Sequence, residues 1–304
     1  MVRNYLYILT GVLFLYACGS CGNKGASGTN GLNDIPDDVV NLGIAEISEE
    51  AMQGFVDNMS SPVEMAALIK SLNVGYSNKY LAPTDKIEDY TTNFQQAFSL
   101  GVYGLDLGYL NMYNKTNTVL DYISAIKTLA DAINVGQFFD FTTLKRLAQN
   151  NQNLDSLMYI SVHSFNQMDN YLRKTNRSNL SVLIVTGLWL EGNYLATQVY
   201  KEAPHPALKE RIGEQKIIIE KLMIFLQNFK SDKQFQNLIS ELSSLQEEYK
   251  NVSITIELGE PEAVEKDGML TFIQHDKSIV NISDETVQRI TQKTEDIRNK
   301  LIRK

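Results

Sequence analysis

The sequence predicts a mainly α protein: an antiparallel multi-helix bundle with a small C-terminal β-hairpin followed by a terminal helix. Three observations carry this. Apolar residues recur at three- and four-residue spacing through most of the chain from about residue 47. Short punctuation such as Gly136, Asn176-Arg177-Ser178-Asn179 and Pro204-His205-Pro206 separates these runs, and connections this short favour antiparallel neighbours. At Val252 the period changes: Ser253-Ile254-Thr255-Ile256-Glu257-Leu258 alternates and is β-branched, so it reads as a strand.

The chain opens differently. Arg3 precedes a mostly apolar run from Tyr5 to Leu15, about the length of a signal-peptide core and short of the ~20 residues that span a bilayer. Small residues and both cysteines of the chain, Cys18 and Cys21, follow at once. With no cysteine after Cys21, a disulfide framework is excluded. Leu15-Tyr16-Ala17-Cys18 resembles the bacterial lipobox. That resemblance implies removal of residues 1–17, acylation of Cys18 and insertion of its lipid, palmitate included, into a membrane. Cys21 lacks the large aliphatic residue three positions upstream that Leu15 supplies to Cys18. Several acyl chains on one N-terminus give durable anchoring, because each buried methylene contributes ~0.8 kcal/mol.

Residues 18–44 read as a flexible tether rich in Gly, Ser and Asn, too poor in apolar side chains to offset the entropy of ordering. The folded body is then expected over 45–304. A short helix opens near Ser48-Glu49-Glu50. Ser61-Pro62-Val63-Glu64 places Ser at an N-cap, Pro at the first position and Glu at the third, with Ala66, Leu68, Ile69 and Leu72 following.

Pro83-Thr84-Asp85 is expected to launch a long helix reaching Asn114. Its stripe is Phe94, Phe98, Val102, Leu105, Tyr109 and Met112. Gly101, Gly104 and Gly108 run beside that stripe. Each glycine inside a helix costs ~0.5–1 kcal/mol against Ala, so this seam predicts close approach of another helix. Further helices are expected at 116–135, 141–149, 154–174, 180–203, 206–229 and 232–249.

The hairpin is expected at about 252–275, pairing the strand from Ser253 with Leu270-Thr271-Phe272-Ile273-Gln274 across an acidic loop, Gly259 to Gly268. Ser283-Asp284-Glu285 caps a final helix with Lys and Arg at its end, as the helix dipole prefers.

Gly104-Leu105-Asp106-Leu107-Gly108-Tyr109-Leu110 weakly echoes Gly187-Leu188-Trp189-Leu190-Glu191-Gly192-Asn193-Tyr194-Leu195. The second segment, continued by Ala196-Thr197, resembles a stretch in all-helical lipoproteins of Bacteroidota. That resemblance implies a fold and a compartment, the cell envelope with a lipid anchor, outer membrane on its periplasmic or surface face. It implies no activity.

Net charge is −8, from 28 basic and 36 acidic residues. An acidic surface repels phosphates, which excludes nucleic acid as a partner. Glu257 to Glu285 holds eight acids against two lysines, so the acidity is concentrated there. The three histidines, His163, His205 and His275, form no zinc spacing, and no phosphate-binding or dinucleotide fingerprint occurs. No cofactor or metal is expected.

The candidate binding residues are Glu191, Asp106, Trp189, Tyr194 and Tyr109. Glu191 lies on the stripe Leu180, Ile184, Leu188, Leu195, and a buried carboxylate is costly unless paired. Two readings stand. One is a core acid satisfied by tyrosine hydroxyls, Arg177 or helix-end amides. The other is a general acid/base or ligand group, of greater interest if Asp106 and Glu191 converge. The fifteen tyrosines, crowded at Tyr76, Tyr80, Tyr90, Tyr103, Tyr109 and Tyr113, suit either a wet groove or a bundle rim. The expected function is a membrane-anchored binding or scaffold protein with an envelope protein or glycan partner. The alternative is an envelope solute receptor or enzyme using the buried carboxylates.

Overall fold

The computed structural model describes residues 62–148, 154–259, 262–266, 269–273 and 277–302. The signal segment 1–17, Cys18, the tether 18–44, the helix expected near Ser48, the cap at Ser61 and His275 lie outside the described residues. The protein is mainly α, as expected. Its helices are α1 (Pro62–Ser71), α2 (Asn93–Met112), α3 (Thr116–Ala132), α4 (Phe141–Ala148), α5 (Leu154–Lys174), α6 (Ser178–Glu202), α7 (Pro206–Gln227), α8 (Lys233–Tyr249) and α9 (Asp284–Leu301). The strands are β1 (Ser253–Glu257), β2 (Glu262–Lys266), β3 (Met269–Ile273) and β4 (Lys277–Asn281).

Two compact units are present. Glu46–Ile254 with Val280–Lys304 forms the helical one, and Thr255–Ile279 belongs to the other. Within the helical unit, α6 is the axle. Every residue from Leu180 to Val199 is buried, so this helix is enclosed on all sides, not along one stripe. Helices α2, α5, α7 and α9 pack around it. The small-residue seam predicts close approach of another helix, and at Gly101 α2 and α6 touch backbone to backbone, while Gly104 faces the Phe165 ring of α5. A Cβ on Gly101 would stand 1.9 Å from the Ile184 carbonyl oxygen, and one on Gly187 would stand 2.0 Å from that of Phe98. The contacts advance together, Phe98 beside Gly187 and Leu105 beside Gly192, so the two helices run in the same direction at the crossing. Sequential neighbours such as α2–α3 and α7–α8, joined by short turns, also pack together.

The turns explain themselves locally. Asn114, Asn134 and Asn176 each adopt a left-handed conformation just past a helix end (φ 53°, 56° and 58°). The next amide then reaches back five residues: Lys115 N–H to Leu110, Val135 N–H to Ala130 and Arg177 N–H to Leu172. This is a Schellman close with Asn where Gly is commoner. His205 caps α7 through Nδ1, which accepts the Ala207 N–H at 3.2 Å, with Pro206 at the first helical position. His163 is exposed and stacks on Tyr159.

Two expectations need correction. The helix read from Pro83 begins only at Asn93. Thr84–Asp89 is a 3-10 segment, and Thr92 closes a capping box with Gln95 that sets the true start. The two expected strands exist but do not pair with each other. β1 pairs with β4, and β3 pairs with β2 in an antiparallel hairpin that places Val264 opposite Thr271. The segment read as an acidic loop therefore supplies a strand. β2 reads Glu262-Ala263-Val264-Glu265-Lys266, two apolar residues between charged ones, so no period-two pattern marks it in the sequence.

Candidate functional site

Several buried polar residues of α6 find hydrogen-bond partners on neighbouring helices. Asn193 accepts the Tyr249 hydroxyl from α8 at 3.0 Å and donates to Thr294 of α9 at 3.0 Å. Trp189 donates its indole N–H to Gln215 of α7 at 3.0 Å. Glu191 is the centre. Its two oxygens accept from Arg298 of α9, Nε to Oε2 at 2.9 Å and a terminal nitrogen to Oε1 at 2.8 Å. Glu191 is 0% exposed, Arg298 1% and Asp106 1%.

Asp106 and Glu191 do converge. Asp106 reaches Glu191 from α2 and hydrogen-bonds to it, while its Oδ2 accepts the Ala82 N–H at 2.8 Å. Burial, then the Glu191 charge, push the Asp106 carboxyl well above the usual carboxylate range. The Arg298 charge and the Ala82 N–H pull the other way and do not prevail. Burial and the neighbouring carboxylate thus favour the protonated form of Asp106. For Arg298, burial opposes the charge, but the attraction of Glu191 and its hydrogen bonds win and hold the guanidinium protonated. The Tyr194 ring lies under that guanidinium at 4.6 Å, a cation–π contact that stabilises a desolvated cation.

A strap, residues 74–83, closes the centre. Tyrosine hydroxyls stitch it down: Tyr113 donates to the Val74 carbonyl at 2.6 Å, Tyr122 to Ala82 and Tyr103 to Pro83. Tyr109 accepts the Ser77 N–H at 2.9 Å. Arg298 adds a contact to the Tyr80 carbonyl at 3.4 Å. Burial raises the Tyr109 hydroxyl pKa, pushed up to about 12, so it remains a neutral phenol. The tyrosine crowding of this region is therefore strap fastening on the bundle.

Of the expected residues, Glu191, Asp106 and Tyr194 meet at one centre. Tyr109 lies beside Tyr76 and Tyr113 under the strap (ring centroids 5.8 and 4.9 Å), and Trp189 faces Gln215 instead. Arg298 was missed, and Arg177, offered as a partner, instead donates to the Ile133 carbonyl at 2.6 Å. The only sequence signal for Arg298 was its place beside Ile297 in the amphipathic stripe of α9. Among the described residues, no group of three or more His, Cys, Asp or Glu could hold a metal, and no helix is long and apolar enough to cross a membrane. No family model matches this chain, and no curated protein or solved structure does so either.

Proposed function

We propose that this protein is a lipid-anchored lipoprotein of the bacterial cell envelope, on the periplasmic or surface face of the outer membrane, whose helical body is a non-enzymatic binding or scaffold module. One observation carries the non-enzymatic part. The carboxylates, guanidinium and tyrosines that could do chemistry are enclosed and spend their hydrogen bonds on one another and on the backbone of the strap. The Leu15-Tyr16-Ala17-Cys18 motif supports the anchor. Cys18→Ala is expected to release the protein from membranes or leave a longer precursor. Fractionation and intact mass check this, and unchanged membrane association with unchanged mass would refute lipidation.

The enzyme or solute-receptor reading keeps one favourable observation, two carboxyl side chains brought together in the core, with the Asp106 pKa raised by burial and by Glu191. It requires the strap to lift so that ligand reaches Asp106. Hydrogen exchange at the Ala82 amide separates the two: global-unfolding protection supports the closed scaffold, and exchange far faster than the core supports the receptor.

A further inference from the structure

Phe138 ends the 3-10 turn Gly136–Phe138, and Tyr171 stands on α5 beside it. Their rings are 4.9 Å apart and tilted by 47°, both half-buried. They border a groove of about 360 Å³ lined also by Gln167, Asn170 and Lys174. Positions 167, 170, 171 and 174 follow the three- and four-residue spacing of one helix face. Two primary amides, a phenol and an ammonium therefore project along one strip above an aromatic edge. Among the described residues, none of these four polar ends has a protein partner. The neighbouring charges are already spent: Asp169 and Arg173 are buried and pair with each other at 2.6 Å, and Ser181 donates to Asp169.

From this juxtaposition we propose that the groove is a saccharide-binding site for one or two pyranose rings. The inference deepens the binding-module reading above and rests on it. A pyranose has an apolar C–H face and a rim of hydroxyls. The face fits the Phe138–Tyr171 edge, where an aromatic body with a polar tip serves both needs. The rim fits the amides, because each offers a donor and an acceptor to adjacent hydroxyls. Lys174 donates to a further hydroxyl or to a uronate carboxylate. A purely apolar ligand would cover these polar ends without satisfying them, and a polyanion would meet a single ammonium. The volume lies near the lower end of small-ligand sites, ~300–1,000 Å³, which suits a short glycan end.

The test uses the full mature chain in a detergent without a sugar headgroup, observed by saturation-transfer NMR. The probes are glucose, N-acetylglucosamine and glucuronate, each on the order of 10 mM against an expected Kd on the order of 1 mM. Transfer to ring C–H protons is expected, weakened about tenfold by Gln167→Ala with Asn170→Ala, two exposed changes that leave the fold intact. Tyr171→Leu should abolish it. A preference for glucuronate that Lys174→Met removes assigns the acidic class, and equal binding of all three assigns the neutral one. No transfer from any probe overturns the proposal. So does transfer that ignores the amide substitutions, or equal transfer to an Ala-Tyr-Ala control peptide. Membrane attachment through Cys18 is scored separately by fractionation, so absent sugar binding with intact anchoring overturns this site and not the lipoprotein reading.

Discussion

Glu191 and Arg298, 107 positions apart, close a two-pronged ion pair in which neither side chain is more than 2% exposed. Two parallel N–H···O bonds fix both the distance and the plane, so the pair sets the rotation of α9 against α6 as well as their contact. Taking one partner away leaves an uncompensated buried charge, which costs ~3–5 kcal/mol. Arg298→Ala is therefore expected to lower stability by about that amount in urea denaturation at neutral pH. The double change Glu191→Gln with Arg298→Met should recover most of it. Equal loss in the single and double variants would show that packing, not charge, dominates.

Asp106 gives the protein a pH signature. Its folded pKa is raised, so in the unfolded chain it loses its proton at a lower pH than in the folded one. Between those two values the unfolded state binds fewer protons, and stability falls as pH rises. The contribution is complete below the unfolded value of about 3.9 and lost as pH climbs through the folded one. Asp106→Asn keeps a neutral donor and an acceptor for the Ala82 N–H. It is expected to flatten this part of the urea-midpoint profile between pH 4 and 8 and to match or exceed the parent at pH 7. A steeper profile in the variant would contradict a raised Asp106 pKa.

The α2–α6 crossing tolerates no side chain. Gly101→Ala or Gly187→Ala drives a methyl into a backbone carbonyl, which cannot step aside as a side chain can. A loss of ~3 kcal/mol or more is expected, at the upper end for overpacking. Gly75→Ala is the control: nothing stands within 4 Å of its Cβ position, and restricting the unfolded chain should stabilise by ~0.4–1 kcal/mol. Thermal melts of the three variants order them.

Removing one stitch should loosen the strap locally. Tyr109→Phe leaves the Ser77 N–H without its acceptor. The expected cost is ~1–2 kcal/mol, seen as faster amide exchange at Ser77 and Ala82 with the α6 core unchanged. Uniform acceleration across α6 would show that strap and core open together.

Much of this architecture is legible from local pattern. The bounds of α5, the Ser283 cap of α9 and the glycine seam follow from periodicity and punctuation. Asp106 and Glu191 stand out because an acid on an apolar stripe is expensive. Their partner does not stand out. Arg298 sits in a last turn where the helix dipole already explains a base, so its burial leaves little local mark. The encirclement of α6 is hidden in the same way, because Ser181, Thr186, Asn193 and Thr197 look like a polar face until each is seen to be hydrogen-bonded inside. Strand pairing is set between segments, and two short runs such as β1 and β3 carry no mark of which partner each takes.

The position of Arg298 also imposes an order of events. A chain is made from its N-terminus, and the axle helix with Glu191 emerges more than a hundred residues before its counter-ion. Until α9 is present, enclosing α6 means burying Glu191 without the guanidinium it pairs with, which is costly. A chain that stops short of residue 298 lacks the guanidinium that satisfies Glu191 at the centre of the helical unit.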